Sequence, residues 1–115
     1  MGGHRPDRGK GRIRGHLEEL DAREEKSPVY AWRLAGLYRQ RGDLEKALEK
    51  ITRAVQIDPY NASNRELAAA IAIEAGRLDL ARRHVRALTL LEPDRPQHQK
   101  RLERIEELLA RQTGG

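Results

Sequence analysis

The sequence predicts an all-α protein built as a short α-solenoid of antiparallel helix pairs. The 115-residue chain is only 37% hydrophobic, with one Trp, three Tyr and no Phe, which favours thin layers of Ala, Leu and Ile over a thick sandwich core. The chain also repeats itself every 34 residues without a gap. A fixed period of this length is typical of repeat architectures, in which stacked units bury a continuous core.

The repeat is visible residue by residue. Each copy contains two helical patterns that are separated by a Gly turn and closed by a Pro. The aligned pairs are Ala35 with Ala69, Gly42 with Gly76, Leu44 with Leu78, Ala47 with Ala81, Ile51 with Val85, Ile57 with Leu91, and Pro59 with Pro93.

The first copy begins at Ser27 and Pro28, which suit an N-cap and a first helical position. Apolar residues then recur at helical spacing, break at Gly42–Asp43, and resume as a second stripe before Pro59. The first stripe is Ala31, Leu34, Ala35 and Tyr38, and the second is Leu44, Ala47, Leu48, Ile51, Ala54 and Val55.

The second copy follows the same logic, with a helix over about 62–75, a turn at Gly76–Arg77, and a helix over about 78–91 before Pro93. We therefore place two repeats at residues 28–61 and 62–95. The alternation of Ala with Leu or Ile allows the close helix approach that a solenoid requires.

Two repeats alone leave apolar faces uncovered at both ends, so we expect flanking helices. Thirty-four residues before the second stripe lie Ile13, Leu17 and Leu20, which predict a half-repeat helix over 13–26. After Pro96 a further apolar stripe predicts a capping helix over 96–112. Its members are Leu102, Ile105, Leu108 and Leu109. Residues 1–12 are Gly-rich and basic, and we expect a disordered arm there.

These residues resemble the tetratricopeptide repeat family over residues 28–95. Counted from Pro28, the family's small, aromatic, turn and closing positions are occupied in the first copy and nearly all in the second. They are Ala35, Tyr38, Gly42, Ala47, Ile51, Ala54 and Pro59, and then Ala69, Ala72, Gly76, Ala81, Val85, Leu88 and Pro93. Two positions depart from the pattern, since Ala31 replaces the family's Trp one place before Trp32, and Ala72 replaces an aromatic residue.

The resemblance implies a right-handed solenoid whose first helices line an inner groove that binds a peptide or helix of a partner protein. The implied groove positions are Val29, Trp32, Gly36, Arg39 and Gln40, then Ser63, Glu66, Ala70, Ile73 and Glu74, with Lys100 and Arg104 if the last helix continues the array. Trp32 opposite Gly36 and Ala70 would form an apolar notch. The alternative is that Trp32 fills the core site left by Ala31.

The chemistry of these positions narrows the expected ligand. Trp32 and Gly36 stand where the family's clamp for a C-terminal carboxylate would be, which argues against a chaperone C-terminus as the partner. We expect a segment with an apolar anchor and mixed charge. Its basic end would face Glu66 and Glu74, and its acidic end would face Lys100 and Arg104.

The net charge of +5 supports a second hypothesis, polyanion or nucleic-acid binding. Residues 1–15 carry +4, residues 16–26 carry −3, and the remainder carries +4. Basic side chains release counterions when they contact phosphate. The candidates are Arg5, Arg8, Lys10, Arg12 and Arg14 in the arm and Arg82, Arg83 and Arg86 in the second repeat. The last three are expected on the outer face. The arm has no aromatic residue to stack on bases, and its other interpretation is a solubilising tail.

Other functions find little support in the sequence. We predict no enzyme, because no nucleophile, acid–base pair or phosphate loop is recognisable, and no metal or cofactor, because the four His show no ligand spacing. We predict His84 as a partly exposed helix residue. A charged N-terminus without a hydrophobic segment favours a cytoplasmic protein without a membrane span. Homodimerisation through an imperfectly covered N-terminal face remains open.

Overall fold

The computed structural model describes residues 28–114, which contain five α-helices and no strand. The helices are α1 (Pro28–Gln40), α2 (Leu44–Ile57), α3 (Ala62–Glu74), α4 (Leu78–Leu91) and α5 (Pro96–Gly114). Each helix packs against the next along the chain, and α1 also contacts α3. The predicted all-α helical solenoid is confirmed. The arm, the helix predicted over 13–26 and the cap at Ser27 lie outside the described residues.

Glycine closes the first helix of each repeat in the same way. Gly42 has φ +81° and Gly76 has φ +75°, a left-handed conformation that residues with a Cβ rarely adopt. The following amide closes each turn: Asp43 N donates to Tyr38 O at 2.9 Å, and Arg77 N donates to Ala72 O at 2.8 Å. This six-residue closure is a Schellman motif, and it reverses the chain so that the second helix returns antiparallel.

The starts of the helices differ between the two repeats. Asp43 caps α2, because its carboxylate accepts a hydrogen bond from Lys46 N at 3.3 Å, and Asn61 caps α3 by accepting from Asn64 N at 3.0 Å. Arg77 stands at the start of α4 and makes no capping hydrogen bond through its side chain. An Arg side chain has no acceptor, so the first turn of α4 lacks the stabilisation that α2 receives.

The core is built largely from alanine. Eight fully buried Ala side chains allow the helix backbones to approach closely, and larger apolar residues fill the space between them. The alanines are Ala31, Ala35, Ala47, Ala54, Ala68, Ala69, Ala72 and Ala81, and the larger residues include Leu34, Tyr38, Ile51, Ile71, Val85 and Leu88. α5 completes the described core by contributing Leu102 and Ile105.

The prediction that His84 is partly exposed was wrong, since its side chain is 5% exposed. The guanidinium of Arg65 explains how a polar ring is accommodated there: its Nη1 donates to His84 Nδ1 at 3.2 Å, and its Nε donates to Pro59 O at 3.0 Å. His84 Nε2 is buried without a hydrogen-bond partner among residues 28–114. Burial, reinforced by the charges of Arg65 and Arg83, lowers the pKa of His84 to about 4.

The last helix is amphipathic. Its apolar side faces α4 through Leu102 and Ile105, while the neighbouring Glu103, Glu106 and Glu107 are exposed. None of the helices formed by residues 28–114 combines the length and the apolar character needed to cross a lipid bilayer.

Candidate peptide-binding groove

The inner surface is formed where α1 and α3 lie beside each other. Val29, Trp32 and Ile73 are large apolar residues that remain 54%, 41% and 38% exposed on these two helices. They occupy positions that the sequence predicted for a groove. Val29 and Trp32 also border open cavities, whereas Ile73 borders neither of the two cavities at Trp32. Tyr60 and Leu90, outside the predicted positions, are more exposed at 81% and 80%, so it is the cavities and not exposure alone that distinguish the surface at Trp32.

The exposure of Ala31 and Trp32 decides between the two locations, groove or core, that the sequence left open for Trp32. Ala31 is fully buried and occupies the core position, whereas Trp32 is 41% exposed. The indole borders two open cavities, one of about 490 Å³ and one of about 230 Å³. Trp32 is therefore exposed beside these cavities and does not fill the core.

The smaller cavity lies between the starts of α1 and α3. Pro28, Val29 and Trp32 form one wall, and Asn61, Ser63 and Asn64 form the other. The wall at the start of α1 is apolar, and the wall at the start of α3 is polar. This cavity has the size of one large side chain or a few small ones.

The larger cavity extends along the groove towards α5. It brings together several predicted positions with residues that the sequence did not single out. Trp32, Arg39, Ser63, Glu66 and Ala70 were predicted, whereas Ala62, Leu67, Glu92 and Arg95 were not. Glu92 and Arg95 belong to the loop between α4 and α5, which a rule based on the first helix of each repeat leaves out.

The side-chain position of Gly36 in α1 is surrounded by open space. A Cβ placed on Gly36 would meet no atom within 4 Å among its surroundings, so this position can carry a side chain without a clash. Of the remaining predicted residues, Gln40, Lys100 and Arg104 are exposed and line neither of these two cavities.

Two ion pairs join consecutive inner helices, each between residues 35 positions apart. Arg39 Nε donates to both carboxylate oxygens of Glu74 at 3.0 Å, which links α1 to α3. This pairing raises the pKa of Arg39 and lowers the pKa of Glu74, mainly through the hydrogen bonds. Arg101 Nη1 donates to Glu66 Oε1 at 3.0 Å, which links α5 to α3. The carboxylates predicted to face a partner's basic end are thus paired within the chain.

The three arginines predicted as a basic patch on the second repeat, Arg82, Arg83 and Arg86, differ in exposure and in pairing. Arg86 Nη2 lies 3.3 Å from Glu106 Oε2, and Arg104 Nη1 lies 3.3 Å from Glu107 Oε1. Arg83 is exposed on α4, whereas Arg82 is half-buried and its Nε is enclosed. The five basic residues predicted in the arm, Arg5, Arg8, Lys10, Arg12 and Arg14, lie outside the described residues.

Another open cavity, of about 910 Å³, lies between the second helices α2 and α4. Most of its lining is charged or polar, as in Glu45, Lys46, Glu49 and Arg77, and its apolar members are the aliphatic Leu48, Ile57 and Leu80. It has no aromatic lining residue, whereas the groove presents Trp32. The groove is therefore the stronger candidate for an interaction site.

The five helices of residues 28–114, each packed against the next, define a helical-repeat protein. A model of the tetratricopeptide repeat family matches residues 38–105, more than half of the chain. The chain belongs to the tetratricopeptide repeat family. A comparison with curated proteins gave no match.

Solved structures show the same fold at low sequence identity. A crystal structure of MamA superimposes with a TM-score of 0.75 at 13% identity, covering 90% of this chain and 63% of MamA, so the chain spans less than two thirds of that protein. PcrH in complex with the chaperone binding region of PopD gives 0.66 at 20% identity, covering 92% and 80%. The Yersinia enterocolitica type III secretion chaperone SycD, in complex with a peptide of the translocator YopD, gives 0.66 at 14% identity, covering 90% and 81%.

Proposed function

We propose that this protein is an interaction module that binds a segment of a partner protein in its inner groove, with a large apolar side chain of the partner packed against Trp32. The observation that carries the proposal is the exposure of Trp32 beside open space. Its indole is 41% exposed and borders both cavities of the groove. Aromatic side chains at the centre of a contact supply much of the binding energy in many interfaces.

The ion pairs argue that the anchor is apolar and not charged. Arg39 with Glu74, and Arg101 with Glu66, already satisfy one another, so a charged partner side chain would have to displace an existing partner. The exposed apolar surface of Val29, Trp32 and Ile73 has no such competitor. Burial of apolar surface contributes about 25 cal/mol per Å² removed from water.

The structural neighbours give independent support for a protein partner. PcrH and SycD share the fold, and both were crystallised with a segment of another protein. The proposal extends that mode of binding to this chain, with a specificity set by its own groove residues. A binding role, and not a catalytic one, is consistent with this family.

A peptide selection tests the proposal. Random peptides displayed on phage are selected on the full chain, and the dissociation constants of the selected peptides are measured by calorimetry. We expect peptides with a large apolar residue, and Trp32→Ala should weaken their binding at least tenfold. The matched control is Leu90→Ala, because Leu90 is 80% exposed on α4, away from the inner helices.

A steric variant separates groove occupancy from loss of the indole. Gly36→Leu places a side chain into open space one helical turn after Trp32, so the fold should be retained while access to the indole is reduced. Circular dichroism confirms the folded state, and binding of the selected peptides should fall at least tenfold. Full-strength binding to folded Trp32→Ala and folded Gly36→Leu would overturn the proposed function.

A further inference from the structure

A buried histidine at the start of α5 lies between two carboxylates that come from different elements. His98 is 2% exposed, and its Nε2 is 2.7 Å from Glu92 Oε1, in the loop before α5. Its Nδ1 is 3.8 Å from Glu66 Oε2, on α3. One potential ligand atom from each of His98, Glu92 and Glu66 lies within 4.8 Å of the other two. Two members of this cluster, Glu66 and Glu92, line the same cavity as Trp32.

The contact with Glu92 occupies Nε2 of His98. A carboxylate can only accept a hydrogen bond, so Nε2–H donates to Glu92 Oε1, and Nδ1 is the ring nitrogen left for another ligand. Nδ1 lies 3.8 Å from Glu66 Oε2, which is too long for a direct hydrogen bond and wide enough for an ion bonded to both atoms.

Two arginines beside this cluster also pair with its carboxylates. Arg101 Nη1 donates to Glu66 Oε1, the oxygen that does not face His98. Arg95 Nε lies 3.8 Å from Glu92 Oε1 and its side chain is 56% exposed. Both arginines offset carboxylate charge, and each pairs with an oxygen other than Glu66 Oε2.

We propose that His98 and Glu66 bind a divalent cation of the Zn²⁺ class, with His98 Nδ1 and Glu66 Oε2 as ligands. Bonds of about 2.1 Å from one tetrahedral ion place a His nitrogen and a carboxylate oxygen about 3.4 Å apart, so a side-chain shift of about 0.4 Å brings the two atoms to ligand distance. Glu92 acts as the outer partner that holds the ring through Nε2–H, an arrangement common around metal-bound histidines.

Two residues of the cluster also line the groove. Glu66 and Glu92 both line the cavity of about 490 Å³, so water or a donor group of a bound segment can reach the ion from that side. The chain has no Cys, so thiolate ligands do not compete with this site.

Zinc alone is the probe. The full chain is titrated with ZnCl₂ by calorimetry, and the ring nitrogens of His98 are followed by ¹⁵N NMR at neutral pH. On addition of zinc, the Nδ1 signal of His98 should shift, and Nε2 should keep its hydrogen.

Variants assign the ligands. His98→Gln and Glu66→Gln should each lower the zinc affinity at least tenfold, and Glu92→Ala should lower it about tenfold through loss of ring orientation. His84→Gln is the matched control, because His84 is the other buried histidine of α4 and α5 and has no carboxylate partner. His4→Gln and His16→Gln variants remove any zinc binding by the two histidines in the first 27 residues. Because the Glu66 side chain is 45% exposed, Glu66→Gln keeps the test valid if His98→Gln fails to fold.

Two results would overturn the zinc proposal. One is zinc affinity that is unchanged by Glu66→Gln and by folded His98→Gln. The other is an Nδ1 signal of His98 that does not change on addition of zinc. Peptide binding by the wild-type chain without zinc would still support the proposed function, so the two proposals fail separately.

Discussion

Arg39 and Glu74 join the ends of α1 and α3 through hydrogen bonds from the guanidinium to both carboxylate oxygens. Their separation of 35 residues is one more than the repeat, and Glu66 and Arg101 repeat the same separation between α3 and α5. The repeat period thus positions a charge on each inner helix next to its counterpart on the following one. One member of each pair, Arg39 and Glu66, lines the same cavity as Trp32.

The Arg39–Glu74 pair is expected to contribute little to stability. Its side chains are 38% and 41% exposed, and solvent-exposed pairs contribute at most about 1 kcal/mol. Arg39→Ala should therefore lower the free energy of unfolding by less than about 1 kcal/mol in urea titrations. Leu34→Ala, at a fully buried site, should cost about 2–5 kcal/mol. A loss above 2 kcal/mol for Arg39→Ala would contradict this assignment.

The first turn of α4 can be improved. Arg77 occupies the position that Asp43 holds before α2, but it makes no capping bond. Arg77→Asp should add about 1 kcal/mol to the free energy of unfolding, because the carboxylate can cap the helix and complements its dipole. The reverse variant, Asp43→Arg, should destabilise by a similar amount. Thermal unfolding that ranks Arg77→Asp below wild type would show that the cap argument is wrong.

Gly36 and Gly42 should respond in opposite directions to alanine. Gly36 is inside α1, where a Cβ meets open space, so Gly36→Ala should stabilise the protein by about 0.5–1 kcal/mol. Gly42 has φ +81°, where a Cβ is strained, so Gly42→Ala should destabilise it by about 1–2 kcal/mol. Equal effects of the two substitutions in chemical denaturation would contradict the turn geometry.

His84 should make stability depend on pH. Its pKa in the folded protein is about 4, below the ordinary value of 6.5, because burial and the charges of Arg65 and Arg83 disfavour the protonated ring. The unfolded chain therefore binds a proton first as the pH falls. The contribution is complete above pH 6.5 and is lost progressively between pH 6.5 and 4, with a maximum of roughly 3 kcal/mol.

The difference between wild type and His84→Leu isolates this effect. His84→Leu removes both the titration and the buried Nε2 that lacks a partner within residues 28–114. Its free energy of unfolding, measured across the same pH range, should fall less steeply than that of wild type. Parallel curves for the two proteins would exclude His84 as the source.

The sequence predicted the elements that depend on local chemistry. Gly42 and Gly76 set the turns, and the Ala-rich stripes marked the buried faces, because these features follow from backbone conformation and helical spacing. Contacts that depend on tertiary placement were missed. Glu92 and Arg95 reach the groove from a loop, and His84 is buried because Arg65, far along the chain, supplies its hydrogen bond.

Trp32 shows the limit of pattern reasoning at a single position. The sequence allowed either a groove or a core location, since a small rotation of α1 exchanges the two. The choice depends on the space between helices: Ala31 fits the fully buried site that the bulky indole would overfill. The sequence could not supply that packing distance.

Tryptophan fluorescence tests the central claim most directly, because Trp32 is the single Trp of the chain. The emission of the full chain is recorded with and without a peptide selected on it, together with acrylamide quenching. If the partner packs against the indole, the emission should shift to shorter wavelength and quenching should fall on binding. Saturating binding by calorimetry with unchanged emission and quenching would contradict a groove centred on Trp32.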